Sequence, residues 1–345
     1  MEMRTAVYKA KNQALVLENR PVPEPGPRQI LIRVRACGIC GSDIHASEAD
    51  HTPTNVVMGH EFAGDIAAVG DKVTRWKLGD AVVPLSQISC GECPACLSGD
   101  NSHCENLQTL EFNPEYNGAY AEYAIVGEAD ALPLPKGISY AQAAAIEPMA
   151  VGYDAVRRSD LAMDDAVLII GAGPIGLAVA TWASHFGITH VVVSEMNPKR
   201  LALAEQMGAT ATINASEDRD VIAAYQRMTG RKPSVIFEVV GVPGMIQRCI
   251  EMAEPDSKIV VVGVCQESDS FEPMQCIFKT LKLIFVLGYT VTDYATIVSL
   301  LEQERITVDP LITHRITLEE LPAMFEQMRR PTDQMKVIVE PDRND

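Results

Sequence analysis

Four cysteines close together in the chain have the spacing of a metal-binding loop. Cys90, Cys93, Cys96 and Cys104 follow one another as C-x2-C-x2-C-x7-C. Four thiolates at such short separations can surround one tetrahedral Zn²⁺ ion, each about 2.3 Å from the metal. Because protein sulfurs would then fill every coordination position, no substrate could bind the metal. We therefore expect this zinc ion to be structural.

A second set of potential metal ligands lies on both sides of this loop. Cys40 and His60 precede it, Glu61 is adjacent to His60, and Glu147 follows it. A catalytic zinc ion has three protein ligands of mixed type and one open position. A thiolate, an imidazole and one carboxylate could make such a site. The residue types leave open whether Glu61 or Glu147 completes it.

A glycine-rich motif in the second half of the chain is typical of a dinucleotide-binding turn. It follows the apolar strand pattern VLII at 167–170 and opens a stretch of helical length. Its residues are Gly171, Ala172, Gly173, Pro174, Ile175 and Gly176. The first glycine permits the tight turn, the second lets backbone amides approach a pyrophosphate, and the third lets the helix pack against the strand.

The residue that would choose between the two nicotinamide dinucleotides is Glu195. It ends the next apolar strand pattern, VVVSE. A carboxylate at this position binds the adenosine ribose hydroxyls of NAD and repels the 2′-phosphate of NADP. Lys199 and Arg200 follow closely, and Arg200 is a further candidate for cofactor binding that could serve NADP. We expect NAD to be the cofactor.

Length and composition limit the classes of protein to consider. The chain has 345 residues, with 29 Lys and Arg against 46 Asp and Glu, which gives a net charge of −17. This length predicts two domains, and the negative charge argues against nucleic acid and anionic membranes as partners. The N-terminal residues lack the apolar core of a signal peptide, so the nine cysteines indicate a reducing, cytoplasmic location.

The pattern of apolar residues predicts the elements that carry these sites. Residues 1–153 are rich in short strand patterns and turn signals, whereas residues 154–289 alternate apolar strands with helices. Such alternation indicates a parallel sheet covered by helices on both faces. Residues 290–345 return to mixed character, and we expect them to complete the first domain. The predicted fold class is α/β, with a β-rich domain beside a doubly wound domain.

Six segments occur in an order that resembles a known family. They are GICGSDIH, GHEFAGDIAAVG, the four-cysteine loop, GAYAEY, AAAIEP and GAGPIG. Together they resemble the zinc-containing medium-chain alcohol dehydrogenases, in the branch of the polyol and threonine enzymes. The resemblance covers essentially the whole chain. It implies a GroES-like catalytic domain, a Rossmann domain, and a homodimer or homotetramer that pairs through a sheet edge, for which LKLIFVLGY at 281–289 is the candidate.

The resemblance also implies how the second set of ligands is used. It makes Cys40, His60 and Glu147 neighbours of a catalytic zinc ion. It makes Glu61 an exchangeable or outer carboxylate, and Asp43 the partner that orients His60. The resemblance therefore implies two Zn²⁺ ions per chain.

A proton relay is implied by the same resemblance. Ser42 resembles the hydroxyl that accepts the proton of the alcohol, and His45 resembles the outer end of the relay to solvent. The implied activity is the oxidation of a small alcohol to a ketone, with transfer of a hydride to NAD.

The sequence gives a weaker indication of the substrate. Several apolar side chains occur where relatives have pocket residues, namely Ile88, Leu110, Phe112, Tyr116 and Leu287. They favour an apolar or cyclic secondary alcohol, and a polyol or amino-alcohol is the alternative.

Other classes of protein fit these residues less well. A zinc-free reductase would not need Cys40 or His60. A non-catalytic nucleotide-binding sensor is the outside alternative; a degraded Ser42 or a broken glycine motif would have indicated it, and both features are intact in this sequence.

Overall fold

The chain forms two compact units. The structure, a computed structural model, describes residues 1–90, 92–113, 116–330 and 333–343. One unit consists of Met1–Glu147 with Thr290–Asp345, and the other is Pro148–Tyr289. The first break lies inside the helix Ile146–Arg158, whereas the sequence led us to place it after residue 153. Both positions lie within this helix, and they differ because the sequence pattern does not mark the break in packing, which lies near the beginning of the helix.

The described strands and helices have the following bounds. The strands are β1 (Glu2–Tyr8), β2 (Val16–Pro21), β3 (Gln29–Gly38), β4 (Val56–Val57), β5 (Glu61–Val69), β6 (Ala81–Pro84), β7 (Gln87–Ile88), β8 (Gln108–Thr109), β9 (Tyr123–Gly127), β10 (Ala131–Pro133), β11 (Ala166–Ile170), β12 (His190–Glu195), β13 (Ala211–Asn214), β14 (Val235–Glu238), β15 (Lys258–Val261), β16 (Lys282–Phe285), β17 (Ile312–Ile316) and β18 (Lys336–Val339). The helices are α1 (Gly41–Glu48), α2 (Pro94–Leu97), α3 (Tyr140–Ala144), α4 (Ile146–Arg158), α5 (Pro174–His185), α6 (Pro198–Gln206), α7 (Val221–Thr229), α8 (Met245–Met252), α9 (Pro273–Lys279), α10 (Val291–Glu302) and α11 (Leu321–Met328). Within the described ranges, none of these helices is both long and apolar enough to cross a bilayer.

Strand β3 is central to the largest sheet of the first unit. The strand order is β10-β6-β5-β3-β18-β17, and β9 also pairs with β3. The C-terminal strand β18 runs antiparallel to β3, with Ile338 opposite Gly38. This pairing brings the beginning of β18, including Lys336, beside the end of β3, directly before the segment that contains Cys40.

The second unit is built on one parallel sheet. Its strand order is β13-β12-β11-β14-β15-β16, and each neighbouring pair is parallel. All residues of β11 are buried, as expected for a strand covered by helices on both faces. This strand order is that of the dinucleotide-binding fold, and the predicted doubly wound domain is confirmed.

Candidate active site and metal centres

The four cysteines of the metal-binding loop converge in the structure. Their sulfur atoms all lie within 4.8 Å of one another. Cys90 Sγ is 3.9 Å from Cys96 Sγ and 3.5 Å from Cys104 Sγ. Four sulfurs bound to one tetrahedral Zn²⁺ ion at about 2.3 Å are separated from each other by about 3.8 Å. The four thiols, all free of disulfides, therefore fit a closed zinc site.

Backbone amides face these sulfurs. Cys90 N and Asn106 N each donate to Cys104 Sγ at 3.3 Å, and Cys93 N donates to Cys90 Sγ at 3.4 Å. A backbone hydrogen bond from Cys96 is the main cause that lowers the pKa of Cys93 to about 6. A backbone hydrogen bond from Cys90 likewise lowers the pKa of Cys104. The loop thus favours the thiolate form that binds metals.

The second ligand group assembles where α1 and β5 begin. Cys40 is the N-cap residue of α1, and His60 directly precedes β5. Ligand atoms of Cys40, His60 and Glu61 lie within 4.8 Å of one another. Gly59 makes the turn before His60 with a φ of +93°, and a Cβ there would lie 2.6 Å from the Tyr120 ring. The three side chains offer the mixed donor set that a catalytic zinc ion takes.

Glu61 is held by a buried cation. Both residues of the pair are almost fully buried, since Glu61 is 1% exposed and Lys336 is 2% exposed. Lys336 Nζ lies 2.6 Å from each carboxylate oxygen and donates to Ile39 O at 3.0 Å. A Cβ at Gly38 would lie 2.2 Å from Glu61 Oε2. The absence of a side chain at Gly38 therefore makes room for this ion pair.

Glu147 lies in the first turn of α4 and is buried. Its Oε1 accepts a hydrogen bond from Ser86 Oγ at 3.3 Å. Burial raises the pKa of Glu147 to about 7, and the negative charge of Glu61 adds to this. Among the described residues, Glu147 is not in the close ligand group of Cys40, His60 and Glu61. Of the two carboxylates left open by the sequence, Glu61 is the one that lies with the thiolate and the imidazole.

The Nδ1 atom of His60 faces two further carboxylates. It is 3.1 Å from Glu111 Oε1 and 3.6 Å from Asp43 Oδ1. Asp43 Oδ2 accepts a hydrogen bond from Tyr120 OH at 2.6 Å. Asp43, His60, Glu111 and Tyr120 are all buried. Asp43 thus lies beside His60, and Glu111, which the sequence did not single out, lies closer.

These neighbours set the charge around the imidazole. Burial lowers the pKa of His60, but Glu111 and Asp43 outweigh burial and hold this pKa well above its usual value. Burial raises the pKa of Asp43, but His60 and Tyr120 outweigh burial and bring this pKa below its usual value. Negative charge at Nδ1 of a histidine strengthens its other nitrogen as a metal ligand.

Ser42 and His45 lie one turn apart on α1, and both are exposed. Residues three apart share one face of a helix. Ser42 Oγ donates to Cys40 Sγ at 3.1 Å. The hydroxyl therefore lies beside a candidate metal ligand, and the imidazole of His45 lies further along the same face.

Most of the apolar side chains that we expected to line a substrate pocket belong to the core. Ile88 and Leu110 are buried in the hydrophobic core of the first unit, and Phe112 and Tyr116 pack against that core. Leu287 is exposed and belongs to the second unit. The pocket expectation fails for Ile88 and Leu110 because these residues, one before and one after the cysteine loop, are buried in the core and anchor the two ends of the loop.

The glycine motif forms the turn between β11 and α5. Gly171 has a φ of +105°, and a Cβ at Gly176 would lie 2.1 Å from Gly171 O. Gly173 is the N-cap residue of α5, and Pro174 and Ile175 begin the helix. A Cβ at Gly173 would meet nothing within 4 Å. Open space therefore lies in front of the first amides of the helix, and this arrangement fits a pyrophosphate.

Glu195 lies at the end of β12, beside the glycine turn. Its Oε2 accepts a hydrogen bond from Ala172 N at 3.0 Å, and its Oε1 accepts from Met196 N at 2.6 Å and Asn197 N at 3.1 Å. Arg200 is half-buried in the first half of α6. The carboxylate is thus fixed where β12 ends, as in sites that recognise the adenosine ribose.

Comparison with known proteins decides the family. Residues 26–136 match the alcohol dehydrogenase GroES-like domain, and residues 174–303 match the zinc-binding dehydrogenase family. An L-threonine 3-dehydrogenase from Rhizobium johnstonii is 33% identical over 335 residues, which are 95% of this chain and 96% of that protein. The chain belongs to the zinc-containing medium-chain alcohol dehydrogenase family. The predicted family, the enzyme class and the GroES-like and Rossmann domains of this dehydrogenase are confirmed.

Solved structures resemble the dehydrogenase over nearly its whole length. A zinc-binding dehydrogenase from Sinorhizobium meliloti, solved with NADP bound, has a TM-score of 0.88 and 29% identity, and the match covers 99% of this chain and 100% of that one. The 2R,3R-butanediol dehydrogenase from Bacillus subtilis has a TM-score of 0.87 and 29% identity, with coverage of 99% and 100%. L-threonine and 2R,3R-butanediol, which the names of two of these proteins give as substrates, are both polar alcohols.

Sequence reasoning missed two buried residues of this dehydrogenase that contact the candidate ligands, Glu111 and Lys336. Each stands among apolar residues, in LEF at 110–112 and in MKVIV at 335–339. A charged residue in a buried segment needs a partner. The sequence therefore carried a signal that each is paired, but it could not identify the partner, because the partners are distant in the chain.

Proposed function

We propose that this dehydrogenase oxidises a secondary alcohol that carries a hydroxyl or amino group on the adjacent carbon, with NAD as the hydride acceptor. The observation that carries the proposal is the convergence of Cys40, His60 and Glu61 in the first unit. The glycine turn with Glu195 in the second unit supports the choice of cofactor.

The types of donor atom determine which residues we propose for each of the two zinc sites. Cys40, His60 and Glu61 would hold the catalytic zinc ion, with Glu147 as a nearby carboxylate, and the four-cysteine loop would hold the structural one. When bound, the catalytic zinc ion supplies Lewis acidity that lowers the pKa of the alcohol hydroxyl, and the nicotinamide supplies the hydride acceptor. Lys336 balances the charge of Glu61 and keeps its carboxylate in place.

Ser42 and His45 would move the proton of the alcohol. The Ser42 hydroxyl lies 3.1 Å from Cys40 Sγ, so a substrate oxygen bound at the same centre would be within its reach. The exposed His45, on the same face of α1, would pass the proton to solvent. Removal of this proton leaves electron density on the substrate oxygen, which favours departure of the carbinol hydride.

The choice of NAD over NADP rests on Glu195. Its carboxylate lies against Ala172 N of the glycine turn, at 3.0 Å, where a 2′-phosphate would meet like charge. The Sinorhizobium meliloti structure holds NADP, so the family as a whole does not decide this point.

The substrate class is inferred from the chemistry that the named relatives share. L-threonine carries an amino group on the carbon next to its secondary hydroxyl, and 2,3-butanediol carries a second hydroxyl there. An apolar secondary alcohol, which the sequence favoured, loses support because Ile88 and Leu110 are core residues.

Matched substrate pairs test this proposal. We would measure NADH formation by the zinc-loaded enzyme with 2,3-butanediol against 2-butanol, with L-threonine against 3-hydroxybutyrate, and with cyclohexanol. At least one substrate with the adjacent polar group should have a kcat/KM more than tenfold above that of its partner. Cys40→Ser should abolish turnover.

Two results would contradict the proposal. Equal or faster turnover of 2-butanol or cyclohexanol would favour the apolar alcohol. NAD binding without turnover of any alcohol in protein that holds two zinc ions per chain would favour a nucleotide sensor.

A further inference from the structure

Three buried polar atoms meet at the back of His60 without a well-formed hydrogen bond. They are His60 Nδ1, Asp43 Oδ1 and Glu111 Oε2. The residues are 7%, 1% and 7% exposed, respectively. Native proteins rarely leave buried polar atoms without partners. The convergence of these three atoms on one imidazole therefore indicates that their hydrogen bonds form when His60 is oriented as a metal ligand.

The two carboxylates are not equivalent. Asp43 is tied to Tyr120 OH by a 2.6 Å hydrogen bond, and its free oxygen is 3.6 Å from His60 Nδ1. Glu111 Oε1 is 3.1 Å from the same nitrogen. Glu111 is thus the nearer acceptor for the Nδ1 proton of a neutral imidazole whose other nitrogen binds metal.

Glu111 reaches this place from the four-cysteine loop. It lies in the 3₁₀ turn Leu110–Phe112, directly after β8. Strand β8 pairs with β7 through Gln87 opposite Thr109 and Ile88 opposite Gln108. All four cysteines lie in the chain between these two short strands.

The contacts around the cysteine loop fix the position of Glu111. Cys90 N donates to Cys104 Sγ at 3.3 Å and closes the base of the loop. Leu110 N donates to Ser86 O at 3.2 Å, and the Leu110 side chain is fully buried. A two-stranded pair as short as β7–β8 is marginal by itself, so a metal ion across the loop would stabilise the segment that carries Glu111.

We infer that Glu111 is a positioning residue for His60, and that the cysteine loop, by carrying Glu111, couples its own metal to retention of metal at Cys40, His60 and Glu61. The inference rests on the proposed function in one respect, the role of His60 as a zinc ligand. Partners of a ligating histidine orient the ring and raise its basicity, and their loss weakens metal binding by 10–100-fold.

A chelator challenge of the zinc-loaded protein tests the first part. Zinc release is followed with a chromogenic chelator in the parent, Glu111→Gln and Glu105→Gln, and Cys40→Ser identifies the phase that belongs to the catalytic ion. Glu105 is exposed on the same segment, so Glu105→Gln is a matched control for charge. Glu111→Gln should release the catalytic ion at least tenfold faster, whereas Glu105→Gln should match the parent. A rate for Glu111→Gln within twofold of the parent would overturn the positioning role.

Cobalt substitution gives a readout that a merely structural role would not change. The visible bands of Co²⁺ report the geometry and basicity of its ligands. Glu111→Gln should shift the bands that depend on Cys40 while thermal unfolding stays close to that of the parent. Unchanged bands would count against positioning. Three metal ions per chain in the parent, with one lost in Glu111→Gln, would show instead that Asp43, His60 and Glu111 bind a metal of their own.

The coupling is tested by removing the other ion. Cys93→Ser should weaken metal binding by the cysteine loop, and it should also accelerate release of the catalytic ion. This acceleration should be absent when Glu111 is already replaced by Gln. Equal acceleration in the Glu111→Gln background would overturn the coupling. If the parent holds no zinc ion that depends on Cys40, the proposed function itself fails, and this result differs from every outcome above.

Discussion

The ion pair of Lys336 and Glu61 places a full positive charge in the core beside candidate metal ligands. Taking both charges out of water carries a large desolvation penalty, and their mutual attraction offsets it only while both are present. Lys336 also donates to Ile39 O, so its ammonium group has several acceptors. Loss of either member would leave the other charge buried without its partner.

Lys336→Met should therefore destabilise the first unit strongly. We expect a loss of roughly 3–5 kcal/mol in the free energy of unfolding, the range for removing one member of a buried pair. Urea unfolding of the zinc-free protein measures it. The exposed Lys136→Met is the control and should change little. The double variant Lys336→Met, Glu61→Gln should recover part of this loss of stability. A loss below 1 kcal/mol in Lys336→Met would show that the ion pair contributes little to the free energy of unfolding.

Asp130 is a second buried charge, and it gives a prediction about pH. Burial raises its pKa to about 7, despite hydrogen bonds from the backbone of Gly127 and Ser89. In the unfolded chain an aspartate has a pKa of about 3.9. Between these two values the folded state binds more protons than the unfolded state. The free energy of unfolding must therefore fall as pH rises through this window.

Asp130→Asn should remove this part of the pH dependence. A shift of about three pKa units corresponds to roughly 4 kcal/mol, so the parent should lose up to this amount between pH 4 and pH 8 through Asp130. Urea unfolding at pH 5 and pH 8 should show a smaller decline for Asp130→Asn than for the parent. An identical decline in the two proteins would mean that Asp130 ionises normally in the folded state.

At the scale of elements, the parallel sheet and the glycine turn could be predicted because their signals are local. Strand β11 is a continuous apolar run, and the turn needs Gly171 with positive φ directly after it. The contacts of His60 with Glu111 and of Glu61 with Lys336 could not be predicted. They join residues 51 and 275 positions apart in the chain. Glu61 and Lys336 meet because β3 pairs with both β5 and β18, and Glu111 directly follows β8, which pairs with β7.

At the end of β12, Glu195 combines contacts to the backbone with a proposed role in the choice of cofactor. Glu195 accepts hydrogen bonds from three backbone amides, one of them in the glycine turn. The carboxylate therefore holds this loop in place, and it is the same carboxylate that we propose recognises the adenosine ribose. Removing it should change cofactor choice and loosen the loop at the same time.

Glu195→Ala should lower the preference for NADH over NADPH by at least tenfold. The physical reason is that a 2′-phosphate would no longer face a carboxylate, while the ribose hydroxyls of NADH would lose an acceptor. Dissociation constants from nicotinamide fluorescence measure the effect. Glu205→Ala removes an exposed charge near the end of α6 and should leave the preference unchanged. An unaltered preference in Glu195→Ala would assign specificity to other groups, with Arg200 the first candidate.

At the scale of the whole molecule, the second unit exposes an apolar edge. Strand β16 ends the parallel sheet and pairs only with β15 among the described strands. Phe285 on β16 is 61% exposed, and Phe278 on the preceding helix α9 is 80% exposed. Exposed apolar patches mark interfaces, and an open sheet edge offers unpaired backbone groups to another strand.

We therefore expect two copies of the dehydrogenase to pair through their β16 edges. A homodimer needs this interface alone, whereas a homotetramer needs a second one. Phe285→Glu places a charge where two edges would meet, so the mass measured by light scattering should halve, to one chain from a homodimer or to two chains from a homotetramer. Met163→Glu changes another exposed apolar side chain of the same unit and should keep the parent mass. A parent that is already monomeric, or a Phe285→Glu variant that keeps the parent mass, would place the interface elsewhere or remove it.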